Sequence, residues 1–276
     1  MSDSKDQLQD SAIPERAKEK IDATKEPAPP ARVLVVHAHP DDQEFTVGGT
    51  LAKWARAGSF IVSVCVTSGD AGSNEKTDAA MTRQMLPLIR EEEQRAANHV
   101  LGINETIFMR YPDGELEPTL QLRRELTRLI RKFKPDAVLC GDPTVRYYGS
   151  NYMNHPDHRA ASSATLDAVF PSAGTRFIFT NLLQEGFEPH NVKWVFIHGA
   201  EKPDTWIDIS ETIDLKIQAL QEHRTQVGGW DIAKEMRAWA AEEGKPRGIA
   251  FAEAYRLMVL VEEKPEAKKE EAEAKV

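Results

Sequence analysis

The sequence predicts an α/β fold, a mostly parallel sheet with helices on both faces. Three observations carry this. Short, continuous apolar runs recur along the chain, stretches of helical periodicity separate them, and the polar clusters with chemical character follow the ends of the apolar runs. Apolar runs without alternation are what strands buried on both faces show. Strand and helix taking turns at this spacing point to parallel pairing.

Val33–Val36 is the first such run and leads into His37-Ala38-His39-Pro40-Asp41-Asp42. A helix is expected from about Thr46, with Leu51, Trp54 and Ala55 on one face and Gly58 as its stop. Phe60–Val66 reads as the second strand. A helix from about Asp78 to Leu101 follows, bent near Pro87, which lacks the donor to continue the ladder; Gly102 is placed to end it. Thr106–Met109 reads as a strand, Thr119–Phe133 as an amphipathic helix and Ala137–Cys140 as a strand. A loop through Tyr147 and Tyr148 leads to Asn154-His155-Pro156-Asp157-His158 and a helix to about Val169. Arg176–Thr180 and Trp194–His198 are expected strands and Glu211–His223 a helix. The stretch to Leu260 is read as mostly helical, with a break at Gly228-Gly229.

Composition limits what such a fold can do. Hydrophobic residues make up 41% of the 276 and charged residues 29%, enough for a sizeable core in one domain. The net charge of -9 argues against nucleic acid or an anionic membrane as a partner. Residues 1–30 and 262–276 carry -2 each and lack periodic apolar residues, so both are expected to be disordered charged tails around a domain at 31–261. Cys65 and Cys140 lie within apolar runs and read as buried structural thiols. No secretory apolar segment and no run near ~18 apolar residues occurs, which reads as a cytoplasmic protein.

In open parallel sheets, ligands bind beyond the carboxyl ends of strands. The turn after the first strand is not the Gly-rich phosphate turn of a dinucleotide site, and no Walker A sequence is present. It carries imidazole and carboxylates instead. Adjacent carboxylates repel unless a cation or proton lies between them. A His and an Asp three apart, joined by a second His from another segment, make a three-ligand set of the kind that holds catalytic zinc, with a neighbouring free carboxylate placed to accept a proton. Either His-Pro-Asp tetrapeptide alone is an ordinary turn or helix start; it is the two together that point to a shared metal site.

Ala38-His39-Pro40-Asp41-Asp42 followed by Gly48-Gly49-Thr50-Leu51-Ala52 resembles the signature of the PIG-L/LmbE-like family of metal-dependent N-acetylglucosaminyl deacetylases, and His155-Pro156-Asp157-His158-Arg159 resembles its second signature. Shorter likenesses occur at Thr67–Gly72, at Arg90 with Glu93, at Tyr111–Gly114, from Lys216 to Gln226 and at Ala252–Tyr255. The resemblance implies a Rossmann-like domain that hydrolyses an N-acetyl group from a glucosamine-type sugar. It implies His39, Asp42 and His158 as ligands of Zn²⁺, with Fe²⁺ also compatible, and Asp41 as general base. His155 would stabilise the oxyanion or donate a proton as imidazolium, and Asp157 would orient it and raise its pKa. Arg90 and Asp113 would contact sugar hydroxyls, and the match around Lys216–Gln226 brings His223 to the substrate as well.

One departure matters: Gln43 stands where many members carry Glu, so a carboxylate role there is lost or moves to Glu44. His37 could support the site or be a satisfied structural histidine, and Tyr147, Tyr148 and Tyr152 could stack on a sugar or pack the loop. Two other readings stay open: cleavage of a larger sugar-linked amide, and a non-catalytic sugar- or nucleotide-binding domain, for which Gln43 is the support. A homo-oligomer is open as well, since the apolar residues between 177 and 206 suit an interface as well as a core.

Overall fold

The computed structural model describes residues 26–75 and 77–261. The tails expected at 1–30 and 262–276 lie outside the described residues, except for 26–30. There Pro30 is buried, its carbonyl accepts the Ser59 hydroxyl at 2.6 Å, and Glu26 pairs with Lys53 at 2.5 Å.

In chain order the elements are β1 (Arg32–His37), α1 (Asp42–Thr46), α2 (Gly48–Arg56), β2 (Phe60–Thr67), α3 (Leu86–Leu101), β3 (Glu105–Tyr111), α4 (Leu120–Phe133), β4 (Ala137–Gly141), β5 (Tyr147–Tyr148), β6 (Tyr152–Met153), α5 (Pro156–Asp167), α6 (Asn181–Gln184), β7 (Trp194–His198), β8 (Thr205–Asp208), α7 (Ile213–Glu222), α8 (Arg224–Val227), α9 (Ile232–Gly244) and β9 (Ala252–Val259). Among the described residues seven strands form one sheet in the order β3-β2-β1-β4-β7-β9-β8, and β5 and β6 make a separate hairpin. The first five strands of that order are parallel; β9 runs antiparallel to both β7 and β8. This is the expected mostly parallel α/β sheet.

Alternation along β1 shows why the apolar run is continuous. Leu34 and Val36 face a core shared with Leu122, Leu126 and Ile130 of α4. Val33 and Val35 face the opposite core, with Leu51 and Trp54 of α2 and Ile213, Ile217 and Leu220 of α7. Burying each such side chain contributes ~1.5–3 kcal/mol, so polar residues are excluded from both faces of this strand. Cys65 and Cys140 are buried and free, as expected.

Several local expectations are corrected. The helix near Asp42 starts at the motif itself, divided at Val47. Pro87 does not bend α3 but lies in its first turn, where the missing N–H costs nothing, so the helix begins at Leu86 rather than near Asp78. Arg176–Thr180 forms turns, not a strand: Phe177 is 85% exposed and Phe179 has φ +53°, so no sheet edge receives it. The stretch ending at Leu260, read as mostly helical, finishes in β9, and β8 was not anticipated. Ala, Glu and Leu in β9 favour helix locally, and pairing with β7 and β8, distant in sequence, overrides that preference.

β9 also explains two of the shorter sequence likenesses. Glu253 accepts the N–H groups of Gly49 at 3.0 Å and Thr50 at 2.8 Å, at the amino end of α2. Buried Lys216 donates to the same carboxylate at 2.5 Å, and the Tyr255 hydroxyl donates to Thr50 Oγ1 at 2.8 Å. A Cβ on Gly49 would overlap Ile209, which holds this position to glycine. Replacement of Glu253 by Ala strands a buried ammonium and two amide donors, so Glu253→Ala is expected to lose about 3–5 kcal/mol of stability in urea unfolding; a loss below about 1 kcal/mol would contradict this account.

Candidate active site

In the sheet order the chain runs outward one way through β2 and β3 and the other way through β4 and β7, so β1 and β4 flank the reversal point. Sheets of this kind bind ligands beyond the strand ends at such a point. The His39–Asp42 turn leaves β1, and β4 leads through the β5–β6 hairpin to His155–His158 at the start of α5.

The first turn is held under backbone strain. Asp41 has φ +97° and ψ -29°, a left-handed conformation that costs a non-glycine residue ~1–3 kcal/mol and persists where its surroundings impose it. Those surroundings are specific. The Asp41 N–H donates to Gln94 Oε1 at 2.9 Å, and Asp42 Oδ2 accepts the His39 N–H at 2.8 Å. Arg90 donates to the carbonyls of Pro40 at 2.7 Å and Gly69 at 3.0 Å, and its Nη2 lies 3.3 Å from Asp41 Oδ2. A Cβ on Gly69 or Gly72 would overlap that guanidinium, so the two glycines make room for it.

Three donors from the two segments converge. His39 Nδ1 and His158 Nε2 lie 3.2 Å apart, His158 Nε2 lies 3.1 Å from Asp42 Oδ1, and His39 Nδ1 lies 3.4 Å from Asp42 Oδ2. Tetrahedral zinc with bonds near 2.0–2.1 Å places its ligand atoms about 3.3 Å from one another. The outward nitrogens are committed elsewhere. His39 Nε2 faces Asp113 Oδ1 at 3.0 Å and Asp157 Oδ2 at 3.4 Å, while His158 Nδ1 lies 3.2 Å from Asn154 Oδ1. In the neutral rings these partners would take the protons and turn the lone pairs of His39 Nδ1 and His158 Nε2 toward a shared cation, the arrangement in which histidines bind metal.

Charge leads to the same place. Burial opposes a charge on His39, but Asp42, Asp113 and Asp157 outweigh it and hold the imidazolium well above the ordinary range. His158 is likewise raised against burial, chiefly by Asp42, and Asp42 is lowered against burial by His158 and His39. Burial pushes the Asp41 carboxyl up to about 6, with Arg90 opposing and Asp42 assisting. Four carboxylates around two imidazoles demand positive charge. A divalent cation held by His39, Asp42 and His158 satisfies that demand with the donor types present, so the residues fit one. His39, His155 and His158 also converge, as do His39, Asp113 and Asp157.

Other expected site residues take different positions. His155 is the N-cap of α5: its Nδ1 accepts the Asp157 N–H at 3.2 Å, which leaves the ring proton on Nε2. Burial, then the charge of His39, lowers its pKa; Asp157 acts the other way but lies 3.9 Å off. With Nδ1 engaged by the backbone, the ring nitrogen free to face a ligand is Nε2. The Asp157 carboxylate also ties down the 113–116 turn, accepting Gly114 N–H at 2.7 Å and Leu116 N–H at 3.3 Å. Asp113 holds His39 with one oxygen and the Ala71 N–H, at 3.1 Å, with the other. Arg90 is 3% exposed and behind Asp41. His223 is fully buried, its Nε2 3.3 Å from Glu44 Oε2. Arg90, Asp113 and His223, expected at the sugar, are each enclosed and engaged by protein groups.

Gln43 points inward too. Its Nε2 donates to Glu44 Oε1 at 2.6 Å and to Asn98 Oδ1, and its Oε1 accepts the Ser63 hydroxyl at 2.8 Å. Gln94 joins Glu44 to the same network at 2.9 Å. Gln43 therefore takes nothing from the donor set, and this removes the observation that favoured a non-catalytic domain. His37 is buried with its pKa lowered to about 4 by desolvation. Sequence reasoning missed Gln94 and Asn154; Asn154 was legible as the residue four before His158, one helical turn away, whereas nothing local marks Gln94.

Residues 34–169 match the PIG-L family, described as GlcNAc-PI de-N-acetylase. A diacetylchitobiose deacetylase of Thermococcus kodakarensis is 31% identical over 82% of this chain and 83% of its own. A probable N-acetyl-alpha-D-glucosaminyl L-malate deacetylase 2 of Bacillus anthracis is 30% identical over 70% of this chain and 80% of its own. Among solved structures, the N,N'-diacetylchitobiose deacetylase of Pyrococcus horikoshii superposes with a TM-score of 0.75 at 28% identity, covering 83% of this chain and 84% of that one.

A cation entering this cluster has to displace the protons that the carboxylates hold on His39 and His158. Zn²⁺ affinity, measured against a competing chelator between pH 6 and 8, is therefore expected to strengthen with rising pH, by roughly tenfold per pH unit for each proton displaced. An affinity independent of pH would show that these imidazoles are not the ligands.

Proposed function

We propose that this chain, which belongs to the PIG-L family, removes the N-acetyl group from a glucosamine-type sugar by metal-assisted hydrolysis. The observation that carries the reading is the convergence of His39 Nδ1, Asp42 and His158 Nε2 at 3.1–3.4 Å, with the unligated carboxylate of Asp41 beside it. His39, Asp42 and His158 hold the cation, and the cation is Zn²⁺; two imidazoles and a carboxylate also accept Fe²⁺. When bound, it supplies Lewis-acid polarisation of the acetyl carbonyl and acidifies a water molecule in the site.

The chain's own groups do the rest. Asp41 takes a proton from the attacking water and returns it to the departing amine; a carboxyl held near 6 is ionised at neutral pH yet basic enough for both transfers. The His155 Nε2–H donates a hydrogen bond to the oxygen that gains negative charge as water adds. Arg90 and Gln94 keep Asp41 in its left-handed conformation. The products are acetate and the free amino sugar. The substrate is a small N-acetylated glucosaminide, and the enzyme acts in the cytoplasm; among the described residues no helix is long and apolar enough to cross a membrane.

Acetate release from N-acetylglucosamine, diacetylchitobiose and the malate conjugate, paired with metal analysis of protein purified with and without air, tests the reading. Asp41→Asn is expected to lose roughly 10²–10⁴-fold in kcat with full metal content. An unimpaired variant would refute Asp41 as base. His158→Ala should lose most of its metal, and stoichiometric metal in that variant would overturn the coordination.

A further inference from the structure

The carboxyl edge of the sheet carries one more imidazole. β7 lies beyond β4 in the sheet order, away from β2 and β3, and it ends at His198. His198 stands opposite Gly141 in the β4–β7 ladder, so the two residues share a face of the sheet. That face is covered by α5. A Cβ on Gly141 would come within 2.9 Å of Ser162 Oγ and 3.3 Å of His198 Cε1. Ser162 lies one helical turn after His158 in α5. The absent side chain at 141 thus lets the imidazole settle between the end of β4 and the first turns of α5, beside a proposed metal ligand.

Charge places the ring near the cluster as well. Burial lowers the pKa of His198 to about 4; among the charged groups acting on it, Asp42 and His158 are the strongest. The β5–β6 hairpin closes in from the other side. Its Tyr148 hydroxyl donates to the carbonyl of Gly199 at 3.2 Å, and a Cβ on Gly199 would overlap that hydroxyl. The ring of Tyr152 lies 6.0 Å from that of Tyr148, and its phenol pKa is raised by burial and then by Asp42. His198 therefore sits between the hairpin and the cation ligands.

Its polar atoms are unused. His39 and His158 are engaged through both ring nitrogens, and His223 faces Glu44. Among the described residues nothing hydrogen-bonds the ring of His198, which is half-buried; neither nitrogen is sealed off as both are in His37. A neutral imidazole presents one N–H donor and one lone pair. A sugar hydroxyl, which donates and accepts, can satisfy both kinds of atom, whereas a carboxylate can only accept. A ring already held by packing also needs little ordering on binding. We propose that His198 binds a hydroxyl of the N-acetylglucosamine ring while the acetamide of that ring lies at His39, Asp42 and His158, which makes it a specificity-determining residue. This rests on the deacetylase reading above.

The test uses the full metal-loaded chain. Methyl N-acetylglucosaminide and its 3-deoxy, 4-deoxy and 6-deoxy forms are titrated by calorimetry in an Asp41→Asn background, with His198 intact or replaced. Acetate release is followed in the proteins that keep Asp41. His198→Ala is expected to weaken binding of the parent sugar, and to raise its KM, by roughly 3- to 10-fold with metal content unchanged. One deoxy sugar should bind the protein with His198 intact more weakly by a similar factor, and should lose nothing further in His198→Ala. His198→Gln, which keeps a donor and an acceptor, should recover most of the affinity. Equal losses on all four sugars, or no loss on any, would overturn the contact; loss of metal in His198→Ala would overturn it too, by marking a role in holding His158. If the native protein binds these sugars but releases acetate from none, the deacetylase reading falls, and the calorimetric coupling still decides His198. Failure to bind any of the four overturns both.

Discussion

Four carboxylates, of Asp41, Asp42, Asp113 and Asp157, meet at the carboxyl ends of β1 and β4, and the surrounding structure is organised around their charge. Left alone they would repel, and burial would push them toward neutrality. The two imidazoles between them respond by holding protons that burial opposes. A divalent cation held by His39, Asp42 and His158 would replace those protons without disturbing the partners, because Asp113 and Asp157 hold the outward edge of His39 and Asn154 holds that of His158. Metal binding, base strength and ring orientation therefore have one electrostatic origin.

The fold sustains this concentration of charge by rigidity. The parallel strands are buried on both faces, so the strand ends cannot shift without disturbing two cores. On that base the chain supports one strained residue, Asp41, through an amide from α3 and a guanidinium enclosed by two glycine turns. Deeper still, Gln43, Glu44, Gln94, Asn98 and His223 form a polar layer that meets the turn through the Asp41 N–H to Gln94 contact. Gln43 serves this layer, its amide spent on Glu44, Asn98 and Ser63. Glu253 performs an analogous task for α2, from a strand more than 200 residues away in sequence.

Much of this was legible beforehand. The parallel strands showed as unbroken apolar runs because each is covered on both faces, and the paired His-Pro-Asp clusters stood at the ends of strands β1 and β4, where such sheets bind ligands. The failures share a cause. β9 was read as helix since its Ala and Glu residues prefer helix locally and only its pairing partners decide otherwise. Arg176–Thr180 has strand-like composition but no sheet edge to join. For Arg90, Asp113 and His223, motif likeness marks that a residue belongs to a site without telling on which side of it the residue stands.

The sequence by itself determined the chemistry: which donor atoms exist, that a His-x-x-Asp and a distant His could share one cation, and that a free carboxylate adjoins them. Residue type sets donor identity, and strand periodicity sets which segments reach the same sheet edge. Only the tertiary structure decided direction. It turned His155 Nδ1 to the Asp157 N–H, set Arg90 against Asp41 and drew Gln94 into contact with a strained backbone. Those outcomes depend on which atoms lie within a few ångströms across the fold, and hydrogen bonding, desolvation and charge act at that range whatever the separation along the chain.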